Sequence, residues 1–171
     1  ADQQWRFAPV TTLPQKYKKA LLLFEDHYFY QHPGVNPVSL AKAFVYNLKH
    51  PNRRGGSTIT MQTIRLARSG KKRSYWEKAI EIVLSVRLEL SLSKKEILLK
   101  YISNAPFGGN VVGLEAACWR YYARTPDMLS WSEAATLAVL PNAPSLIYPG
   151  KNQLLLKKKR DFLLKKLYNK N

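Results

Sequence analysis

Two groups of side chains in this sequence have the types and spacing for acid–base chemistry at a charged substrate. The first is the Glu25–Asp26 pair, which follows the apolar run of residues 21–24. This run and the negative end of a preceding helix both favour the protonated form of a carboxyl group. A carboxyl group whose pKa is raised in this way is suited to general-base catalysis. An exposed acidic pair balanced by His27 and His32 is an equally good interpretation of the pattern alone.

The second group is basic and follows a glycine-rich segment. Gly55-Gly56-Ser57-Thr58 precedes a helical pattern, and Arg65 and Arg68 lie three residues apart on that helix. A glycine-rich approach to a helix N-terminus offers free backbone N–H groups to an anion, and arginine side chains suit phosphate. The segment lacks the spacing of a Walker loop. It is a candidate phosphate site, although a basic cluster can also be a solvated face.

The acidic residues are few enough to be interpreted one by one. Glu96 and Glu133 complete capping boxes at helix starts, while Glu89 and Glu115 are interpreted as ordinary residues at a helix end and a helix start. Four acids keep no local structural role: Glu25, Asp26, Glu77 and Glu81. Two separated carboxylates on different helices, facing basic residues, are typical of enzymes that act at an anomeric carbon. For Glu81, a structural role is as well supported as a functional one.

The charge balance indicates a polyanionic partner. The 171 residues carry 28 Lys and Arg against 11 Asp and Glu, a net charge of +17. Nucleic acid, an anionic membrane surface or a phosphorylated substrate would each explain this excess. No helix-turn-helix, RNP or zinc-finger pattern supports nucleic acid. The three histidines lack zinc-ligand spacing, so no metal site is expected, and the single Cys118 is expected in the core.

Helical periodicity covers most of the chain, so we predict a mainly α fold in one domain, residues 1–171. Thr12 is the expected N-cap of a first helix that ends near Glu25. A second helix, 37–50, carries an apolar stripe with lysines beside it, typical of a helix at a lipid interface or of an ordinary packing helix. The helix 75–90 is apolar nearly all round and is predicted to be buried. Further helices are expected near 58–67, 93–102, 113–122, 134–140 and 153–168.

Five motifs in chain order resemble those of the peptidoglycan glycosyltransferases. The first is Glu25-Asp-x-x-Phe-x-x-His-x-Gly34, and the second is Gly55-Gly-Ser-Thr-Ile-Thr-Met-Gln62. Lys78-x-x-Glu81 resembles the core of the third, Tyr101 through Glu115 the fourth, and Ala134 through Pro144 the fifth. Met61 and the sequence of residues 105–110 resemble those of the 1C type of class A penicillin-binding proteins.

This resemblance implies a lysozyme-like, bilobed fold with a larger globular lobe and a smaller membrane-facing lobe that includes about residues 35–54. It implies polymerisation of lipid II into β-1,4-linked glycan at the outer, periplasmic face of the cytoplasmic membrane, with inversion and release of polyprenyl pyrophosphate. Glu25 matches the catalytic base and Glu81 the second catalytic glutamate. The implied substrate-binding residues are Asp26, Phe29, His32, Gly55, Gly56, Ser57, Thr58, Gln62, Arg65 and Lys78.

The resemblance also sets expectations for cofactors and partners. No cofactor is required, and a divalent cation (Mg or Mn) is compatible with the chemistry. Lipid II, the growing glycan strand, an anionic membrane surface and cross-linking enzymes are the expected partners; nucleic acid is not. The chain is expected to be an excised domain or a monofunctional form, without the transpeptidase domain and transmembrane anchor that are typical of class A proteins.

Three residues depart from the family pattern. Met61 replaces the commoner Gln, a change that the 1C type tolerates. Glu77 stands where the third motif usually has Arg, and Ser103 where the fourth commonly has Asn. They motivate the hypothesis of a catalytically weak scaffold of the same fold. A lysozyme-like muramidase or lytic transglycosylase is the other alternative, but hydrolysis does not need the basic region around Gly55–Arg73.

Overall fold

The computed structural model describes residues 4–51, 55–68 and 74–170. The eight α-helices found there are α1 Gln15–Glu25, α2 Pro37–Lys49, α3 Ile59–Ala67, α4 Tyr75–Ser91, α5 Lys94–Asn104, α6 Leu114–Tyr122, α7 Trp131–Val139 and α8 Gln153–Tyr168. Two short 3-10 helices span Phe29–Gln31 and Pro126–Met128. In the described ranges, β structure amounts to three isolated bridges. The mainly α prediction is confirmed. Residues 52–54 and 69–73 lie outside the described residues, and they include the basic residues Arg53, Arg54, Lys71, Lys72 and Arg73.

The chain folds as two compact units. Unit 1 consists of residues 1–27 and 99–171, and unit 2 of residues 28–98. Among the residues that the structure describes, no helix has the length and apolar character needed to cross a membrane.

Helix α7 forms the centre of unit 1. All of its residues from Ala134 to Val139 are buried, and it packs against α1 and α8, which also pack against each other. Burial of apolar surface of this kind is the main stabilising contribution in a small domain. The Ser130–Glu133 capping box opens α7, as predicted, and Cys118 is fully buried in the core, also as predicted.

The predicted Thr12 cap of α1 is wrong. The N-cap is Pro14, and no side chain caps the helix. Pro14 has the extended backbone that an N-cap requires (ψ 120°), and its carbonyl accepts the Lys18 N–H at 2.8 Å. The helix therefore starts at Gln15, two residues later than a helix capped by Thr12 would start.

Unit 2 contains α2, α3 and α4, with α3 packed against α4. The prediction that α4 is buried is wrong. Val83 is 66% exposed and Leu90 is 85% exposed, whereas the buried residues of the helix are the polar Glu81 and Ser85. Periodicity could not choose a face because apolar residues occur all round. Polar contacts with α3 decide which side is inward.

Helix α2 is anchored at its start and apolar on its outside. Asn36 accepts a hydrogen bond from the Ser39 N–H at 3.0 Å and Pro37 occupies the first turn, where its missing N–H costs nothing. Two residues of the predicted apolar stripe, Phe44 and Leu48, are 64% and 71% exposed. Only Ala43 of this helix is buried.

Candidate active-site residues

The acidic candidate residues lie in unit 1, at the C-terminal end of α1. Glu25 is the last residue of the helix, and Asp26 is its C-cap, whose N–H donates to Leu22 O at 3.0 Å. Asp26 is buried and Glu25 is half-buried. The prediction that a helix presents both carboxyl groups near its end is therefore confirmed.

Two ionisable side chains of unit 1 are within electrostatic reach of Glu25. Burial raises the pKa of Tyr17, and the charges of Cys118 and Glu25 raise it further. Burial lowers the pKa of Lys159, and the charge of Glu25 opposes that shift. Lys159 Nζ also donates to Asn142 Oδ1 at 2.7 Å. Sequence analysis missed Lys159 because nothing distinguishes it within the basic run of residues 157–160.

The basic candidate residues lie in unit 2, around an ion pair whose carboxylate is buried. Arg65 Nε and Nη2 donate to the two oxygens of Glu81, each at 2.7 Å. Lys78 Nζ is 3.7 Å from Glu81 Oε2. Both cations also donate to Ser57 Oγ, Lys78 at 2.6 Å and Arg65 at 3.1 Å. Four residues that sequence analysis placed in one site are thus brought together on α3, α4 and the segment before α3.

The exposure of these side chains shows what the cluster can bind. The Glu81 side chain is 6% exposed, whereas those of Arg65 and Lys78 are 35% and 32% exposed. The carboxylate therefore fixes the guanidinium from the inside, and both cations remain accessible from solution. One negative and two positive charges leave a net charge of +1, next to the N-terminus of α3. This arrangement suits an anionic ligand such as a phosphate group.

Glu77 does not add an uncompensated negative charge near this cluster. Both of its carboxylate oxygens accept hydrogen bonds from Arg68, and this hydrogen bond is the main cause that raises the pKa of Arg68. The expectation that Arg68 is a phosphate contact is therefore revised, because its guanidinium is committed to Glu77. Two further basic residues that follow shortly after Arg68 in the sequence, Lys72 and Arg73, lie outside the described residues.

Three of the predicted substrate-binding residues have a structural task. Phe29 is fully buried, so its ring cannot contact a substrate directly. Thr58 is the N-cap of α3, accepting the Met61 N–H at 3.1 Å and donating to Gly34 O at 2.6 Å. Gly56 allows close approach to α2, since a Cβ there would lie 2.8 Å from Ser39 O.

The other predicted residues of unit 2 have mixed surroundings. His32 is buried, with its ring edge-on to Phe29. Gln62 is half-buried on α3, and Gly55 is exposed with open space around it. Within the described ranges, no group of three or more His, Cys, Asp or Glu could hold a metal ion. The expectation about a divalent cation stays a prediction.

Sequence analysis also missed another ion pair of unit 2, between Glu89 and Lys94. Glu89, which the sequence pattern presents as an ordinary helix-end residue, contacts Lys94 at 2.8 Å and Thr60 at 2.6 Å. These residues lie on three different helices, so no spacing along one helix could have revealed the contact.

The comparison with protein families decides what kind of protein carries these groups. Residues 1–168 match the family model described as Transglycosylase. The chain belongs to the Transglycosylase family. Its predicted membership of the peptidoglycan glycosyltransferases is confirmed, and with it the prediction that it is a transferase.

Curated relatives of this transglycosylase domain agree with that assignment. It is 45% identical to penicillin-binding protein 1C of Escherichia coli over 154 residues, which is 88% of the chain and 20% of that protein. It is 37% identical to penicillin-binding protein 1A of Pseudomonas aeruginosa over 95% of the chain and 20% of that protein. The corresponding identity to penicillin-binding protein 1A of Rickettsia felis is 30%, over 95% of the chain and 21% of that protein. The chain thus spans about a fifth of the length of these relatives.

Proposed function

We propose that this domain polymerises lipid II into β-1,4-linked glycan strands, with inversion at the anomeric carbon and release of polyprenyl pyrophosphate. The observation that carries the proposal is the cluster of Arg65, Lys78, Ser57 and Glu81 in a chain of the Transglycosylase family. Two accessible cations held by one buried carboxylate suit a diphosphate leaving group. A hydrolase acting on finished glycan has no such group to stabilise.

In the proposed reaction, Glu25 is the general base. Its carboxylate accepts the proton of the acceptor 4-hydroxyl while that oxygen attacks the donor's anomeric carbon. Glu25 is half-buried at the end of α1. Lys159 is the nearby cation whose pKa responds to Glu25, and it favours the ionised form of the base.

The leaving group is assigned to unit 2. As the bond between the anomeric carbon and the pyrophosphate breaks, its electron pair passes to the diphosphate, whose negative charge increases. Arg65 and Lys78 stabilise this charge because they are already oriented before the reaction. Glu81 acts by orienting Arg65 through the bidentate contact. Each of these roles rests on contacts inside a single unit.

Further substrate contacts are proposed for the remaining residues implied by the resemblance. Asp26 adjoins the base, and Ser57 receives hydrogen bonds from both cations. Gly55 offers exposed backbone. Gln62 and His32 supply polar side chains and belong to the same unit as Gly55. No bound cofactor is required in this proposal.

We also propose that α2 rests on the outer face of the cytoplasmic membrane, in a smaller, membrane-facing lobe that includes about residues 35–54. Phe44 and Leu48 are exposed on this helix, with Lys42 and Lys49 exposed beside them. Anionic headgroups attract each nearby lysine by about 1 kcal/mol. A lipid-linked donor and cross-linking enzymes that act on the product fit the same location.

The test compares two substrates. The domain is incubated with labelled lipid II and, separately, with finished glycan, each with a detergent control and with or without EDTA. The proposal predicts that lipid II is polymerised both with and without EDTA, and that finished glycan is not shortened. Shortened glycan without polymer would identify a muramidase or lytic transglycosylase, and activity that EDTA removes would require a bound metal.

A further inference from the structure

The ion pair between Glu89 and Lys94 in unit 2 is not used by the proposed reaction. Glu89, near the end of α4, lies 2.8 Å from Lys94, the first residue of α5. Glu89 also accepts a hydrogen bond from Thr60 in the first turn of α3, at 2.6 Å. The side chains of Glu89 and Lys94 are 8% and 21% exposed, and Thr60 is fully buried. The pair thus joins the ends of three helices away from solvent.

Lys94 connects this pair to the segment 28–34, which follows the proposed base in the chain. Its Nζ donates to His32 O at 2.7 Å and lies 4.4 Å from the centroid of the Phe29 ring. A charged donor makes a stronger hydrogen bond to a carbonyl than a neutral one does, and an ammonium group over an aromatic face is also attractive. Lys94 therefore fixes both the backbone and the buried ring of this segment.

The same segment is held at its other end by α3 and α4. Gly34 O accepts a hydrogen bond from the Thr58 hydroxyl at 2.6 Å. Gly34 has a φ of +85°, and a Cβ at this position would lie 2.6 Å from Ser85 O. Only glycine allows this approach without strain. Because Thr58 caps α3 and Ser85 lies on α4, the Gly34 end of the segment is held against the two helices that carry Arg65 and Glu81.

We propose that Glu89 and Lys94 are positioning residues for glycosyl transfer, which hold the segment 28–34 in place through His32 O and Phe29. This inference rests on the proposed function. Neither side chain touches the substrate. Lys94 acts through the segment, and Glu89 acts through Lys94 by fixing its ammonium group. Small displacements of substrate-binding groups are expensive in rate: about 1 Å can cost about 100-fold.

A purely structural role for the pair makes a different prediction. Replacing Lys94 alone leaves the Glu89 charge buried with a hydroxyl as its remaining partner in these contacts, which is destabilising. Replacing both charges by neutral groups of similar size removes that penalty. If the pair served only stability, the double variant would recover stability and activity together. If it positions the segment, stability recovers but activity does not, because His32 O still lacks its donor.

The experiment therefore uses three variants of the whole domain: Lys94→Met, the double variant Glu89→Gln/Lys94→Met, and Lys95→Met. Lys95 is the exposed neighbour on α5 and is the matched control. Thermal unfolding, kcat and KM for lipid II are measured for each. We expect Lys94→Met to lower Tm and to lower kcat by about tenfold or more. We expect the double variant to regain Tm while kcat stays low, and Lys95→Met to match the wild type.

Hydrogen exchange supplies a readout that is independent of turnover. Amides of the segment 28–34 are expected to exchange faster in the double variant than in the wild type, whereas amides of α7 are unchanged. A double variant with wild-type kcat and wild-type exchange in this segment would overturn the inference. A wild-type domain that forms no polymer would instead contradict the proposed function, and the exchange comparison would still decide whether the pair holds the segment.

Discussion

Helices α7 and α4 solve opposite problems in the two units. Every residue of α7 from Ala134 to Val139 is buried among apolar neighbours. In α4 the buried residues are Glu81 and Ser85, and large apolar residues such as Leu90 face outward. Both helices are rich in apolar residues, so composition alone does not distinguish them. The difference lies in which side chains find partners inside the unit.

This contrast shows how stability and chemistry are divided. An apolar helix such as α7 can give rigidity to the end of α1, where Glu25 lies, without placing charges near it. Helix α4 leaves part of its apolar surface exposed, and its buried side carries Glu81, which binds Arg65. A buried ion pair is weak evidence for stability, but it orients a cation well. We therefore expect substitutions in α7 to affect folding and substitutions on the inner side of α4 and α3 to affect turnover.

The largest effect is expected for Arg65→Met. Removing the guanidinium takes away one oriented cation from the leaving group, and we expect kcat to fall on the order of 100-fold or more. Arg87→Met, at an exposed position of α4, is the matched control and should keep wild-type turnover. Steady-state polymerisation of lipid II measures both. Equal rates for Arg65→Met and Arg87→Met would remove the basis for the leaving-group assignment.

The next effect concerns stability. Leu137→Ala leaves a cavity in the core of unit 1 and should lower the free energy of unfolding by about 3 kcal/mol. Val83→Ala, on the exposed side of α4, should change it by less than about 0.5 kcal/mol. Urea unfolding monitored by circular dichroism measures the two variants. Similar losses would mean that α4 is covered in the protein in solution.

A smaller effect is expected at the start of α7. Ser130→Ala removes the cap and should cost about 1 kcal/mol at neutral pH. Burial raises the pKa of Glu133, but the hydrogen bonds from the Ser130 backbone and hydroxyl and the charge of Arg124 outweigh it, so the pKa is lowered from 4.5. The stabilisation from Glu133 is thus present above pH 4.5 and is lost as pH falls through the lower, folded-state pKa.

That pH dependence gives the check for the cap. Unfolding of the wild type and of Ser130→Ala is followed from pH 7 downward, and the stability difference between them should narrow in acid. A difference that stays constant across this range would show that Glu133 takes no part in the cap. Ser132→Ala, on an exposed residue of the same turn, controls for the loss of a hydroxyl group.

The smallest expected effect is at Cys118. Burial raises the pKa of its thiol to about 12, and the side chain is fully inaccessible. Since the thiolate is the reactive form, the native domain should not react with thiol reagents at pH 8, whereas the domain unfolded in guanidinium should react fully. Rapid labelling of the native domain would show that the core around α6 and α7 opens easily.

Sequence patterns predicted the helices well where a local signal was present. The Ser130–Glu133 box marked the start of α7, and the observed limits of α8, Gln153–Tyr168, are those expected from its apolar pattern. The predicted Thr12 cap was wrong because the residue with extended backbone at the start of α1 is Pro14, two positions further along the chain. Local structure can be predicted when it depends on neighbours in the chain.

Contacts between distant residues were beyond such patterns. The orientation of α4 depends on the contact of Glu81 with Arg65, sixteen residues earlier in the chain. The ion pair of Arg68 and Glu77 likewise joins the end of α3 to α4. Glu89 appeared to need no explanation because its partners, Thr60 and Lys94, belong to other elements. The motifs indicated which residues matter, and the structure adds how the charges are paired.

The most direct test of the account separates binding from chemistry at Glu25. Glu25→Gln removes the base but keeps the shape of the side chain, and Asp127→Asn, at an exposed acid of unit 1, is the control. Binding of labelled lipid II in detergent and formation of glycan polymer are measured on the same samples. The account predicts that Glu25→Gln binds lipid II as the wild type does and forms no polymer. Polymer formation by Glu25→Gln at the wild-type rate would contradict it.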